Sequence, residues 1–183
     1  MVLTLNDSVG KMNDMLARLS QHNNGAPRDP VRFALGDVAR EVCRVKGRAH
    51  PVMTDGNLGL CAFADPARVE QIVLHLVQNA IDASASDAPV LLRVEEVGGG
   101  ACLSVIDQGC GMSAAFIRDD LFRPFASSKQ GGFGVGAFEA RELAHAMNGT
   151  LRVESVVGKG SRFTLTLPRA DDKTLSMQEG KAA

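Results

Sequence analysis

Several features that would place this chain in a large functional class are absent. No run of apolar residues reaches the roughly 18 needed to span a bilayer, and the N-terminus carries no signal peptide. Lysine and arginine together number 20 against 21 acidic residues, a net charge of −1, and they are scattered singly. Nothing therefore favours a nucleic-acid surface. We expect a cytoplasmic chain that reaches a membrane only through regions outside this sequence.

The four cysteines also lack a metal-binding or redox pattern. Cys43, Cys61, Cys102 and Cys110 form no CxxC pair, and no histidine lies at ligand spacing from them. Reduced, mostly buried thiols are the simplest interpretation. No internal repeat is present. With 183 residues, 45% of them hydrophobic, the chain can form one compact domain with a full core and short additions at its ends.

The first predicted element is a long N-terminal helix. Its apolar residues alternate at spacings of three and four, which is typical of a helix that packs along another helix. These residues are Val2, Leu5, Val9, Met12, Leu16 and Leu19. An amphipathic helix lying on its own domain is the alternative. Asn, Gly and two prolines follow, so residues 1–22 are predicted to be this helix and residues 23–30 a linker.

From residue 31 the pattern becomes mixed α/β. Helices are predicted over Gly36–Lys46, Pro66–Ser84 and Ala137–Met147, with Asp65 as the N-cap of the second. Strands are predicted at 31–35, 51–54, 58–63, 89–97, 101–107, 151–157 and 162–168. Turns are predicted at Asp55–Asn57, Gly98–Gly100 and Gly158–Gly160. Residues 31–169 are thus predicted to be one domain, and the aperiodic residues 170–183 a disordered tail.

The predicted helix Pro66–Ser84 carries an unusual polar stripe opposite its apolar one. The stripe contains amides, one imidazole and one carboxylate, namely Gln71, His75, Gln78, Asn79 and Asp82. Solvated helix faces usually favour Lys, Glu and Arg, so this stripe is more typical of the wall of a polar cavity. An ordinary solvated face is the alternative. Mg²⁺ takes oxygen ligands and keeps several waters, and the side-chain carbonyl of Asn79 could bind it.

Two glycine-rich segments add candidate ligand contacts. Asp107–Gly111 closes a predicted strand, where a carboxylate can accept the exocyclic amine of adenine and glycines let backbone approach a flat base. By itself, this DxGxG pattern is also common in tight turns. The segment Gly132–Gly136 opens the helix at Ala137, whose free amides and dipole favour anions. Lys129 can add a point charge near a terminal phosphate.

Two common glycine motifs are excluded. Residues 132–137 satisfy GxGxx[GA] and are followed about 20 residues later by Glu154, as in a dinucleotide fold. However, the residues before these glycines are polar and loop-like, where that fold requires a strand. Gly158-Lys159 lacks a glycine five residues upstream, so it is not a Walker A loop.

Four segments, taken in order, resemble the nucleotide pocket of one family. They are Gln71–Ala83, Asp107–Gly111, Phe122–Gly136 and Gly158–Ser161. They are similar to the N, G1, F and G2 boxes of the ATP-binding catalytic domain of sensor histidine kinases, in the short-lid NtrB-like type. That domain belongs to the GHKL superfamily shared with gyrase, Hsp90 and MutL. The resemblance covers residues 31–168 and implies a Bergerat fold, a two-layer α/β sandwich with helices on one face of a mixed sheet. Here it is preceded by one long helix.

The resemblance also implies roles for individual residues, with ATP and Mg²⁺ as the cofactors. Asn79 is the implied metal ligand and Asp107 the group that reads adenine, while Gly109 and Gly111 shape the base pocket. The remaining implied nucleotide-binding residues are Lys129, Gly132, Gly134, Gly136 and Ser161, the three glycines acting as hinges of a lid. Phe122 and Phe125 are expected to anchor that lid on the core, and ordinary core aromatics are the equally compatible alternative.

Some positions depart from the family pattern. His75 stands where histidine kinases usually have Asn and where the ATPase branch has Glu as general base. Asp82 stands where many kinases have Lys, so Lys129 is assigned the phosphate-binding role. Lys129 and His75 are the candidate catalytic residues. Phe133 replaces the usual Thr between the lid glycines.

The implied function is that of a protein-histidine kinase, which transfers the γ-phosphoryl group of Mg-ATP to a histidine on a dimerisation hairpin. The helix 1–22 resembles the second helix of such a hairpin. None of the four histidines has the acidic neighbour and helical context expected of a phosphoacceptor. These histidines are His22, His50, His75 and His145. The chain is therefore interpreted as a fragment. Its implied partners are the missing hairpin, within a homodimer of the longer protein, and a cognate response regulator.

Three other functions are compatible with a nucleotide pocket. A gyrase-like ATPase predicts Glu at position 75, where this chain has His. An anti-sigma-factor-like protein-serine kinase usually lacks the N-terminal heptad helix. A nucleotide-binding module without catalysis, used only for assembly, is the third alternative, and Asn79 and Asp107 argue against it.

Overall fold

Strands and helices alternate along the described part of the chain, residues 28–124 and 134–170 of a computed structural model. In chain order they are β1 (Val31–Ala34), α1 (Leu35–Lys46), β2 (Val52–Gly56), β3 (Cys61–Ala64), α2 (Pro66–Ala83), β4 (Val90–Val97), β5 (Gly100–Asp107), α3 (Ala114–Asp119), α4 (Gly136–Ala146), β6 (Thr150–Val156) and β7 (Gly160–Pro168). The predicted helix 1–22, residues 23–27 of the linker, Phe125, Lys129, Gly132 and residues 171–183 of the tail lie outside this part.

Five strands form a mixed sheet in the order β2-β4-β5-β7-β6. β2 pairs with β4 in parallel, whereas the other neighbours are antiparallel. The two antiparallel hairpins, β4–β5 and β6–β7, arise at the predicted glycine turns. A parallel pair needs a long crossover, and the segment from β3 to α2 supplies it between β2 and β4. The mixed sheet expected from the sequence is therefore confirmed.

The short strands near the N-terminus of the domain pair differently from what their sequence order suggests. β1 pairs with β3 in a separate two-stranded sheet, and β2 joins the large sheet. The predicted strand 58–63 begins only at Cys61, because Leu58–Leu60 turn back, with the Leu60 amide donating to Asn57. The last described residue contacts this small sheet, because the Ala170 amide donates to the Cys61 carbonyl at 3.1 Å.

The helix α2 provides the central layer of the core. Asp65 caps it, accepting the Ala67 amide at 3.0 Å, and Pro66 is its first residue, as predicted. Its buried apolar stripe consists of Val69, Ile72, Val73, Leu76, Val77 and Ala80. Each fully buried large side chain contributes roughly 1.5–3 kcal/mol, so this stripe is a main source of the domain's stability. It packs against the inward residues of β4, β5 and β7, such as Leu92, Leu103 and Leu165.

The opposite face of the sheet carries polar side chains, so the helices cover one face only, as expected. Hydroxyl groups meet across its strands, with Ser104 and Thr164 3.0 Å apart. Arg93 pairs with Asp55 at 2.9 Å, and Arg162 lies 3.8 Å from Glu95. Exposed Met53 and Val97 lie on the same face, which is therefore mixed in composition.

Two further sequence expectations can be compared with the described residues. All four cysteines are free thiols, but Cys110 is exposed and only Cys102 is fully buried. In residues 28–124 and 134–170, no helix is both long and apolar enough to cross a bilayer. The six-residue helix α3, capped by Ser113, was not expected, because it is too short for its apolar spacing to be recognised.

Candidate functional site

Three polar residues lie at the same end of neighbouring strands, on the face covered by helices. Asp107 ends β5 opposite Ser161 of β7, and Ser161 is in turn opposite Ser155 of β6. Side chains alternate between the faces of a sheet. Asp107 therefore shares the inward face of Leu103 and Val105, at the edge of the core rather than in solvent.

The side chain of Asp107 is held in a fixed orientation. The residue is only 5% exposed, and its Oδ1 atom accepts the Gly109 amide at 2.8 Å and the Ser161 amide at 3.2 Å. The structure thus brings together Asp107, Gly109 and Ser161, which sequence reasoning assigned to one pocket. A buried carboxylate oriented in this way can present an acceptor to a ligand with good geometry.

The glycines after Asp107 allow three backbone segments to meet. A Cβ atom on Gly109 would lie 2.3 Å from the carbonyl oxygen of Ala83, at the end of α2. Gly111 has a φ of +64°, and its Cβ would lie 2.1 Å from the Val156 carbonyl oxygen of the β6–β7 hairpin. The sequence explained these glycines by approach to a flat base, but protein backbone is what their missing Cβ atoms would meet.

Ser155 joins the loop after β5 to the β6–β7 hairpin, and sequence reasoning missed it. Its hydroxyl accepts the Met112 amide at 2.8 Å and donates to the Gly160 carbonyl at 2.9 Å. It also lies 3.0 Å from the Ser161 hydroxyl. The signal was available in part, because pairing outward from the predicted Gly158–Gly160 turn places Ser155 opposite Ser161.

The helices α2 and α4 meet at polar residues. A Cβ atom on Gly136, the first residue of α4, would lie 3.9 Å from the Asn79 side-chain nitrogen. One turn away on each helix, the Nδ1 atom of His75 lies 3.7 Å from a carboxylate oxygen of Glu139. Asn79 and His75 are therefore both at the beginning of α4. Glu139 was not recognised from the sequence, because it falls within an ordinary amphipathic helical pattern.

The polar stripe predicted on α2 divides into two parts. Gln78 and Asp82 are exposed, and Gln78 accepts from Lys46 of α1 and donates to Asp82, both at 2.7 Å. For these two residues the alternative of a solvated face describes the structure better. His75 and Asn79 are half-buried, and for them the wall of a polar cavity stays a prediction.

The segment before the lid is attached to α4 through Arg141. Its guanidinium lies 4.7 Å above the Phe122 ring and donates to the Phe122 carbonyl at 3.2 Å. Phe122 itself packs against the core, which an ordinary core aromatic would also do, so its role as a lid anchor stays a prediction. Beyond the lid, Gly134 has a φ of +66° and precedes α4. Phe125, Lys129 and Gly132 are outside the described residues, so their roles stay predictions.

Comparison with known families agrees with this geometry. Residues 64–171 match the model of the family described as histidine kinase-, DNA gyrase B-, and HSP90-like ATPase. The chain is 33% identical over 174 residues to the C4-dicarboxylate transport sensor protein DctB of Rhizobium meliloti (strain 1021). That alignment covers 92% of this chain but only 28% of DctB, so the chain spans little more than a quarter of the length of this relative.

Solved structures share the fold at low sequence identity. The catalytic domain of histidine kinase ThkA, 23% identical, superposes with a TM-score of 0.69 over 78% of this chain and 97% of that domain. ThkA in complex with the response regulator protein TrrA gives 0.71 at 19% identity, over 90% and 49% of the two chains. Full-length ShkA in complex with AMPPNP gives 0.72 at 24% identity, over 86% and 35%.

The match to the family model covers more than half of the chain and includes α2, the Asp107 loop and the β6–β7 hairpin. These elements carry Asp107, Ser161, His75 and Asn79. The chain therefore belongs to the family of histidine kinase-, DNA gyrase B- and HSP90-like ATPases, and its described part is the ATP-binding domain found in sensor histidine kinases.

Proposed function

We propose that this chain binds Mg-ATP and serves as the catalytic domain of a sensor histidine kinase, transferring the γ-phosphoryl group to a histidine on a dimerisation hairpin. The orientation of Asp107 is the observation that carries the proposal. Two backbone amides fix this buried carboxylate at the end of β5, as recognition of an adenine amine requires. ShkA, which shares the fold, was solved with AMPPNP.

The adenine end of the site provides the first test. Asp107 is a hydrogen-bond acceptor, and guanine presents a carbonyl where adenine presents an amine, so ATP should bind more tightly than GTP. Gly109, Gly111 and Ser161 support this end by holding the loop and hairpin together. Calorimetric titration with ATP and GTP measures the preference, and equal affinities would contradict the assignment of Asp107.

The metal end of the site is assigned to Asn79. Among the described residues, no group of three or more His, Cys, Asp or Glu side chains could hold a metal ion. Mg²⁺ usually keeps several waters and binds through one or two protein groups together with substrate phosphates. A single carboxamide beside the start of α4 fits that mode of binding. When bound, the ion neutralises charge on the triphosphate.

The phosphates are assigned to the lid and to the start of α4. The free amides and the dipole of that helix favour anions, and Lys129 adds a positive charge. Gly132, Gly134 and Gly136 give the lid its conformational freedom. Replacing Asn79 with Ala should remove most of the dependence of ATP affinity on Mg²⁺ without unfolding the domain, because its half-buried side chain is outside the apolar core. Titration with and without Mg²⁺ tests this.

The partners are proposed from the relatives. ThkA forms a complex with the response regulator TrrA, so a cognate response regulator and the phosphoacceptor hairpin of a homodimer are the expected partners here. The catalytic domain is expected in the cytoplasm, with any membrane attachment in regions outside this chain. Adding a phosphoacceptor hairpin should yield phosphohistidine, which is acid-labile. If no phosphohistidine forms, the chain is not a kinase for this acceptor.

ATP hydrolysis is the second candidate, and one observation favours it. Glu139 lies 3.7 Å from His75, and a carboxylate that orients an imidazole is the usual arrangement of a general base. Phosphate release by the isolated chain that disappears in His75→Ala would support this candidate over the kinase.

A further inference from the structure

Glu139 places a negative charge where the start of a helix would otherwise attract an anionic ligand. It lies in the first turn of α4, where the helix dipole places partial positive charge and attracts anions. Its side chain is 18% exposed and that of His75 28%. Charges that are partly buried interact more strongly than charges in water, since solvent and salt screen them less.

Glu139 also lies close to the residue assigned to the metal. Among the contacts between α2 and α4, Asn79 lies near Gly136 and His75 lies near Glu139. Gly136 and Glu139 are three residues apart, about 4.5 Å along the helix axis at 1.5 Å per residue. The Asn79 contact and the Glu139 contact are therefore about one helical turn apart along α4.

A carboxylate at this point acts oppositely on the two forms of a nucleotide. It repels a metal-free triphosphate that approaches the start of α4, which reduces the attraction that the helix dipole provides. It attracts a divalent cation, because carboxylate oxygens are preferred Mg²⁺ ligands, directly or through a bound water. The carboxylate thus raises the affinity for the metal complex of the nucleotide and lowers the affinity for the free nucleotide.

We propose that Glu139 determines specificity for the metal complex of the nucleotide, making ATP binding by this chain depend on Mg²⁺. His75 is a positioning residue in this arrangement, since its ring contacts the carboxylate and limits the directions it can take. The inference rests on the proposed function, in which Asn79 holds Mg²⁺ and α4 faces the phosphates. It adds a second side chain to that metal end.

The test compares ATP affinity in excess EDTA with ATP affinity in Mg²⁺, by calorimetry on the full chain. Glu139→Gln removes the charge at constant size and should raise the metal-free affinity about tenfold, which is the effect of one partly screened charge at this range. The ratio of the affinity in Mg²⁺ to the affinity in EDTA should fall by more than this factor, because the metal complex also loses an attractive charge. Glu139→Ala should change it in the same direction, whereas Glu139→Asp, which keeps the charge, should retain the wild-type ratio.

Glu142→Gln is the matched control. Glu142 is on the same helix, 54% exposed and beside Arg141, so its replacement changes the net charge equally away from the site. An unchanged ratio in Glu139→Gln, or an equal change in Glu142→Gln, would overturn the inference. A parallel loss of affinity with and without Mg²⁺ would mean that Glu139 only supports the structure, and would also overturn it.

The same titrations separate this inference from the proposed function. If the wild-type chain binds no ATP, or Asn79→Ala keeps the full Mg²⁺ dependence, the assignment of the metal end is wrong and this inference fails with it. If Asn79→Ala loses the dependence while both charge-removing variants at Glu139 keep it, only the role of Glu139 is wrong. Thermal unfolding of each variant without ligand confirms that the fold is retained.

Discussion

At the scale of single residues, Asp107 has two separable tasks. One is structural, because its Oδ1 atom satisfies the buried amides of Gly109 and Ser161. The other is the proposed recognition of adenine. An Asn side chain still offers a carbonyl oxygen to both amides. Its amide NH₂ group replaces the second carboxylate oxygen, however, and cannot accept a hydrogen bond from the adenine amine.

Asp107→Asn should therefore weaken ATP binding by about 1–3 kcal/mol while the melting temperature stays near that of the wild type. Asp107→Ala should lose binding and also lower the stability, since two buried amides lose their acceptor. Calorimetry measures the affinity and thermal unfolding the stability. Full ATP affinity in Asp107→Asn would contradict the recognition role, and a stable Asp107→Ala would contradict the structural one.

Gly111 tests the close approach of the loop to the hairpin. Alanine at this position would combine a positive φ of +64° with a Cβ 2.1 Å from the Val156 carbonyl oxygen. Gly98 is a matched control, since its φ is +60° and its Cβ would meet nothing within 4 Å. Gly98→Ala should cost only the conformational penalty, of order 1 kcal/mol.

Gly111→Ala should cost more than Gly98→Ala, because the hairpin or the loop must also move, which disturbs the hydrogen bonds of Ser155. Chemical denaturation gives the two free energies of unfolding. Equal losses for the two variants would show that the contact with Val156 relaxes without cost.

At the scale of elements, α4 connects the metal end of the site to the segment before the lid. Its first turn meets Asn79 and His75, and Arg141 in the next turn holds Phe122 through its ring and its carbonyl. One helix therefore contacts both α2 and residue Phe122 of the segment 121–124.

Arg141→Ala should loosen residues 121–124 without unfolding the domain. A partly buried cation–π contact and one hydrogen bond together contribute roughly 1–2 kcal/mol, so protection of these amides from hydrogen exchange should fall about tenfold. Arg118→Ala serves as the control, since Arg118 is 71% exposed and pairs only with the adjacent Asp119 among the described residues. Unchanged exchange at 121–124 would show that Phe122 is held by the core alone.

At the scale of the whole molecule, the proposed chemistry needs two parts, a charge-stabilising pocket and a positioned acceptor. The pocket combines Asp107, Asn79 and the start of α4, with Lys129 expected from the sequence. Phosphoryl transfer depends mainly on placing the acceptor in line with the γ-phosphate and stabilising the charge that develops. From the sequence, none of the four histidines is expected to be such an acceptor.

The isolated chain should therefore bind ATP yet show neither autophosphorylation nor appreciable hydrolysis. Incubation with γ-labelled ATP is expected to leave the protein unlabelled and to release little phosphate. Adding a hairpin that carries a phosphoacceptor histidine, in cis or in trans, should restore labelling. Labelling of the chain by itself would locate an acceptor within this sequence and would contradict its interpretation as a fragment without one.

Local patterns in the sequence predicted much of this fold. Apolar spacing and caps located α1, α2 and α4 to within a residue or two, and glycine turns located both hairpins, because these features depend on residues close together in the chain. Residue chemistry also singled out Asp107 and Asn79, whereas Ser161 followed only from the resemblance to the family. A stripe of amides on a helix is unusual enough to be noticed by itself, but the DxGxG pattern was informative only together with the other segments.

Tertiary structure alone decided the features that join distant segments. Nothing local says that β2 pairs with β4 while β3 pairs with β1, since strands of similar composition can pair in many ways. Glu139 and Ser155 look ordinary within their own elements and become part of the site only opposite His75 and Ser161. The glycines at 109 and 111 were found from the sequence, but the physical reason for them, contact with the backbone of Ala83 and Val156, exists only in the folded chain.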